Sequence, residues 1–104
     1  MLSNEKRRYI DKEIDKEIEA NSDIIEAKRL ADIKDYFHYG EYEMTFEYLF
    51  LELMETEGSK FTMGRKTALK IAKLLERDKE YFYDKDFWQK LQDFVDEREP
   101  IKTA

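Results

Sequence analysis

The sequence predicts an all-α fold, a single bundle of about five helices, on three observations. Breakers are scarce, with three Gly and one Pro in 104 residues. Helix formers such as Glu, Lys, Leu and Ala fill much of the chain. Apolar residues recur at three- and four-residue steps, and nothing alternates with period two over a strand's length. The chain has the length of one domain. Its 41% hydrophobic and 14% aromatic residues suffice to close a core despite 42% charged residues. Residues 21–98 are expected to form the core bundle, 1–20 a peripheral helix and 99–104 a tail.

The first helix is expected from about Asn4 to Ala20. Its apolar line, Ile10, Ile14 and Ile18, is narrow and suits a peripheral helix or contact with a second chain. Asn21-Ser22-Asp23 breaks it, and Asp23 with Glu26 has the spacing of a capping box. The second helix, Asp23 to His38, carries a broad stripe of Ile24, Ala27, Leu30, Ala31, Ile33, Tyr36 and Phe37. Gly40 ends it, because glycine accepts the left-handed conformation common just past a helix.

The third helix, about Glu41 to Glu57, has Phe46, Leu49, Phe50, Leu53 and Met54 inward. Glu41, Thr45, Tyr48, Glu52 and Glu55 recur along the opposite side and predict an acidic, aromatic outward face. Gly58-Ser59 separates it from a fourth helix, Thr62 to Asp78, which buries Ala68, Ile71, Ala72 and Leu75. Lys66, Lys70, Lys73 and Arg77 are expected along one exposed edge of this helix. Tyr81-Phe82-Tyr83 reads as a connection tucked against the core. Asp86 with Gln89 resembles a second capping box, opening a last helix over Phe87 to Glu97 with Phe87, Leu91, Phe94 and Val95 inward.

The residue inventory excludes much chemistry. Without Cys there is no disulfide, thiolate zinc site or thiol nucleophile. His38 is the single histidine, so a di-iron bundle and an HExxH zinc site lack ligands. Beside a helix end among aromatics, His38 reads as a capping or packing residue. Glu13 with Glu17, and Glu43 with Glu47, are four apart and suit a cation or acid–base work, but solvated faces commonly produce such pairs. Thr62-Met63-Gly64-Arg65-Lys66-Thr67 lacks phosphate-loop spacing. Neither an enzyme nor a cofactor or metal site is expected. The basic residues near the N-terminus precede no apolar signal core, and no apolar run spans a bilayer, so a cytoplasmic protein is expected.

The net charge of −6 is unevenly spread. Residues 32–58 hold eight acids against Lys34, a net of −7, and residues 59–79 hold seven bases against Glu76 and Asp78, a net of +5. Such blocks pair with each other or face different partners.

The stretch Ile33-Lys34-Asp35-Tyr36-Phe37-His38-Tyr39-Gly40-Glu41-Tyr42-Glu43-Met44-Thr45-Phe46-Glu47-Tyr48-Leu49 resembles the core of small helical immunity proteins of bacterial polymorphic toxin systems. In that group a helix closes on a Gly-Glu-Tyr or similar turn, and an amphipathic helix ending in an acidic tract follows. The likeness is greatest to MafI-type and related contact-dependent growth inhibition immunity proteins. It covers residues 24–97, with the Thr62 to Leu75 helix and the Trp88 segment in matching order, and leaves residues 1–20 out. Thr45 stands where such families usually carry Ala.

The resemblance implies a cytoplasmic protein that binds the C-terminal toxin domain of a cognate effector. Such toxins are often RNases, of the EndoU class among others, with basic RNA-binding clefts. An acidic helix would then fill the cleft that accepts phosphates. Glu41, Tyr48, Glu52 and Glu55 are the expected contact residues, with Asp32 and Asp35 extending the patch. No direct nucleic-acid or membrane partner is expected, and the protein would be a monomer or weak homodimer. Two other readings compete: a small nucleic-acid-associated regulator using Lys66, Lys70, Lys73 and Arg77, and a homodimer joined through Ile10, Ile14 and Ile18.

Overall fold

The computed structural model describes residues 2–99; of the expected tail, residues 100–104 lie outside the described residues. Among the described residues five helices run in chain order: α1 (Asn4–Ala20), α2 (Ala27–His38), α3 (Tyr42–Glu55), α4 (Arg65–Leu74) and α5 (Phe87–Arg98). No strand occurs among the described residues. The all-α bundle is therefore the observed architecture. Its central element is α3, which packs against α1, α2 and α5, while α4 lies on α5. A radius of gyration of 13.0 Å is that of one compact unit of this length.

Ser3 starts α1 by accepting the Lys6 N–H on its hydroxyl at 3.2 Å. The narrow stripe of α1 is not peripheral: Ile10, Ile14 and Ile18 are all buried in the core of their own chain. That burial also corrects the homodimer reading, which needed the stripe free. A line of three isoleucines suffices because α1 is further tied down by polar side chains. Asn21 bridges its end to the distant 60 segment, donating to the Glu17 and Lys60 carbonyls at 3.0 Å and accepting the Lys60 N–H at 2.7 Å.

α2 begins later than expected, and the Asp23–Glu26 box does not form. Ile24 and Ile25 donate back to the Asn21 carbonyl, so residues 21–25 are a turn. Glu26 is the cap and accepts the Lys28 N–H at 3.2 Å. The end of α2 is as expected: Gly40 sits at φ +73°, with Glu41 N bonded to Tyr36 O and Gly40 N to Phe37 O, a Schellman motif.

The same motif ends α4 without a glycine. Glu76 takes the left-handed position at φ 58°, while Arg77 N donates to Ala72 O and Glu76 N to Lys73 O. The helix thus stops four residues short of the expected Asp78, and Arg77 turns inward. At α5, Phe87, Leu91, Phe94 and Val95 are buried as expected, but the Asp86–Gln89 box is absent. Asp84 instead accepts the Asp86 N–H at 2.8 Å, and Gln89 donates to Asp93 at 3.0 Å. Around Phe50, rings from three elements meet: Phe46 at 4.6 Å, Phe61 at 6.1 Å and Phe94 at 6.1 Å.

Candidate protein-binding face

Of the four glutamates expected on solvated faces, Glu17 and Glu47 are buried and spent on backbone. Glu17 accepts Thr62 N and Met63 N, both at 2.9 Å, and the Thr62 hydroxyl at 2.7 Å. Glu47 accepts the N–H groups of Phe82 at 3.0 Å, Tyr83 at 2.6 Å and Asp84 at 3.1 Å, beside the Arg77 guanidinium at 3.0 Å. A buried carboxylate is tolerable only when its lone pairs are so occupied. Glu13 is half-buried and pairs with the exposed Lys16 at 3.3 Å.

The expected outward face of α3 is rotated. Thr45 is 0% exposed, its hydroxyl donating to the Glu41 carbonyl at 2.7 Å. Glu52 is 8% exposed and ion-paired to Arg29 of α2 at 3.3 Å. With α1 and α2 packed on either side, the ridge left partly open is Met44, Tyr48, Leu51 and Glu55, spaced at i, i+4, i+7 and i+11.

Of the six expected contact residues, Tyr48, Glu52 and Glu55 come together. They line one open hollow of about 360 Å³ with Arg29, Leu51, Tyr83 and Asp84. Asp32 is half-buried and acts on the Tyr48 hydroxyl, whose ionisation is pushed up first by burial and then by Asp32 and Glu52. Asp35 and Glu41 are exposed but do not line this hollow. Glu41 precedes α3 and Glu55 ends it, about 21 Å away along the axis.

Tyr36, Tyr83 and Arg29 were missed in the sequence. Tyr48 lies 6.2 Å from the Tyr36 ring and 5.4 Å edge-on from the Tyr83 ring. The Tyr83 hydroxyl is pushed well above the ordinary tyrosine range by surrounding protein and its hydrogen bond with Tyr36. Asp84 is held below the usual carboxylate range, chiefly by its hydrogen bond from Lys90. Asp84 also lines a second hollow of about 330 Å³, with Leu51, Met54, Glu55, Lys90, Asp93, Phe94 and Glu97. The two hollows share Leu51, Glu55 and Asp84. Together they make a continuous strip with apolar and tyrosine walls and more carboxylates than cations.

The expected basic edge is also altered. Lys66, Lys70 and Lys73 are exposed, but Arg77 is 2% exposed and cannot continue the row. These three lysines make no ion pair with the described residues, so only Arg77 joins this region to the acids of α3. Lys70 instead sits over the Tyr9 ring at 5.0 Å. Tyr81, Phe82 and Tyr83 are not tucked in; they are 56%, 53% and 43% exposed. His38 is exposed in the last turn of α2.

Among the described residues, no three His, Asp or Glu side chains gather as a metal site, and no helix is long and apolar enough to cross a membrane. Comparison with protein-family models, curated proteins and solved structures finds no match to this chain.

Proposed function

We propose that this chain is a cytoplasmic immunity protein that neutralises a cognate toxin domain by covering its basic substrate cleft. The observation that carries the reading is the Tyr48–Tyr83 pair lining an open hollow bordered by Glu52, Glu55 and Asp84, with the Tyr36 ring packed against Tyr48. Tyrosine contributes large, rigid contact area at low entropic cost and dominates interface hot spots. Carboxylates around it favour a partner of positive potential and speed encounter beyond the neutral range of ~10⁵–10⁶ M⁻¹s⁻¹. A nuclease that grips phosphates has such a surface, and an RNase of the EndoU class fits the resemblance noted above.

In this account Tyr48 is the central anchor, Glu55 the free charge and Asp32 a flanking one. Glu52 contributes through its pairing with Arg29, which fixes the wall of the hollow. Occupying the cleft excludes RNA sterically and by charge, with no catalytic step. The nucleic-acid reading weighs less because its row of cations loses Arg77 to the interior. The test is a pull-down of the tagged chain with the C-terminal toxin domain encoded immediately upstream, paired with rescue of cells expressing that domain. Stoichiometric capture and rescue support the reading; absence of both removes it.

A further inference from the structure

The loop carrying Tyr81, Phe82 and Tyr83 poses a physical puzzle. Three consecutive large aromatics at 56%, 53% and 43% exposure leave apolar surface in water that a core position would bury. Yet the backbone of Phe82, Tyr83 and Asp84 is fastened to α3. One fully buried carboxylate, Glu47, accepts the N–H groups of Phe82, Tyr83 and Asp84. Arg77, itself buried, neutralises that carboxylate and lies under the Phe82 ring, 4.8 Å from its centroid.

The Glu17 arrangement provides the contrast. Glu17 holds the 62–63 backbone in the same manner, but there the segment delivers Met63 and Phe61 to the core. The Glu47 loop delivers no side chain to the core. What it gains is a fixed display of rings. Rigid presentation lowers the ordering cost of binding, and clustered exposed aromatics mark interaction surfaces.

We infer that the Tyr81–Tyr83 loop is a preorganised anchor that inserts into an apolar recess of the toxin domain, beside the basic surface met by Glu55. This rests on the proposed toxin-binding function and adds an anchor outside α3. Charge complementarity sets the occupant: the loop itself is balanced, Glu80 and Asp84 against Lys79 and Lys85, but the strip that Tyr83 borders carries Glu52, Glu55, Asp84, Asp93 and Glu97 against Arg29 and Lys90. A recess rimmed by Lys or Arg on a phosphate-binding domain fits that pattern. Tyr81 and Phe82 supply the apolar contact, and Tyr83 joins the loop to Tyr48 so that both patches form one footprint.

The experiment is titration of the upstream-encoded toxin domain with the full-length chain, its Tyr81→Ala variant and its Tyr83→Ala variant, each checked by thermal melting. Tyr81 serves as the main probe because its ring is the most exposed of the three. The anchor predicts wild-type binding and a loss of roughly tenfold or more for Tyr81→Ala at unchanged melting temperature. Wild-type binding with both variants equally tight overturns the anchor and leaves the toxin-binding reading standing. No binding by the wild-type chain overturns both.

Discussion

Arg77 donates from Nη1 to Glu47 Oε1 at 3.0 Å, with the two side chains 1% and 0% exposed. Glu47 comes from the middle of α3 and Arg77 from just past α4, so the pair fastens the end of one helix to the flank of another. The guanidinium Nε also donates to the Leu75 carbonyl at 3.0 Å, which leaves little of either group unsatisfied.

Breaking this pair from one side should be costly. Arg77→Met leaves the buried Glu47 carboxylate without its counter-ion, held by backbone N–H groups alone, and stability should fall by about 3–5 kcal/mol. Urea unfolding of the variant should show an earlier midpoint. A loss below about 1 kcal/mol would mean that the pair is solvated in solution.

Glu13 and Glu17 of α1 should separate cleanly. Glu17→Ala removes the acceptor of the Thr62 and Met63 N–H groups and should cost about 2–4 kcal/mol. Glu13→Ala removes only a pair with the exposed Lys16 and should cost less than about 1 kcal/mol. Equal effects in parallel thermal melts would contradict the assignment.

Glu76 occupies a left-handed position where glycine is the favoured residue. Glu76→Gly should therefore stabilise the protein by about 1 kcal/mol, and a melting temperature unchanged or lowered would show that the Glu76 side chain contributes something its φ does not reveal.

Alkaline pH should unfold the protein through its tyrosines. Tyr42, Tyr48 and Tyr83 each have the phenol pushed up, in every case first by burial; the hydrogen bond to Asp11 adds at Tyr42 and that with Tyr36 at Tyr83. The unfolded chain therefore releases these protons first. Their contribution is complete below about pH 10 and is lost as pH rises through the folded-state values. Phenolate absorbance of these rings should appear together with loss of helical circular dichroism. Full ionisation with the helices intact would contradict the packing described for them.

Much of the fold was legible because helix periodicity survives in the stripes of α3, α4 and α5, and because Gly40 marks a turn no other residue makes as easily. The broad stripe expected for α2 does not hold, since Ile33 alone of it is buried and Ala27 and Ala31 are exposed. The helix ends were harder. Glu76 gives no compositional sign of a left-handed residue, and its position turns Arg77 from a surface edge into the interior. The Ile10, Ile14 and Ile18 stripe looked too thin for a core because the polar anchors Glu17 and Asn21 were invisible as such. On the candidate face, Tyr48 and Glu55 follow from the pattern, whereas Thr45 and Glu52 do not: both are buried, and Arg29 of α2 reaches over Glu52 on the supposed outward side. Tyr83 joins Tyr48 only through the loop that Glu47 holds, a contact across 35 residues that no local pattern encodes.

The most direct test of the central claim is calorimetric titration of the upstream-encoded toxin domain with the wild-type chain, Tyr48→Ala and Glu55→Lys. Glu55 is the position for charge reversal because Glu52 is already tied to Arg29. The account predicts one-to-one wild-type binding, a loss of about 2 kcal/mol for Tyr48→Ala, and weakened, less salt-sensitive binding for Glu55→Lys. Wild-type affinity in both folded variants, or no binding by the wild-type chain, would contradict it.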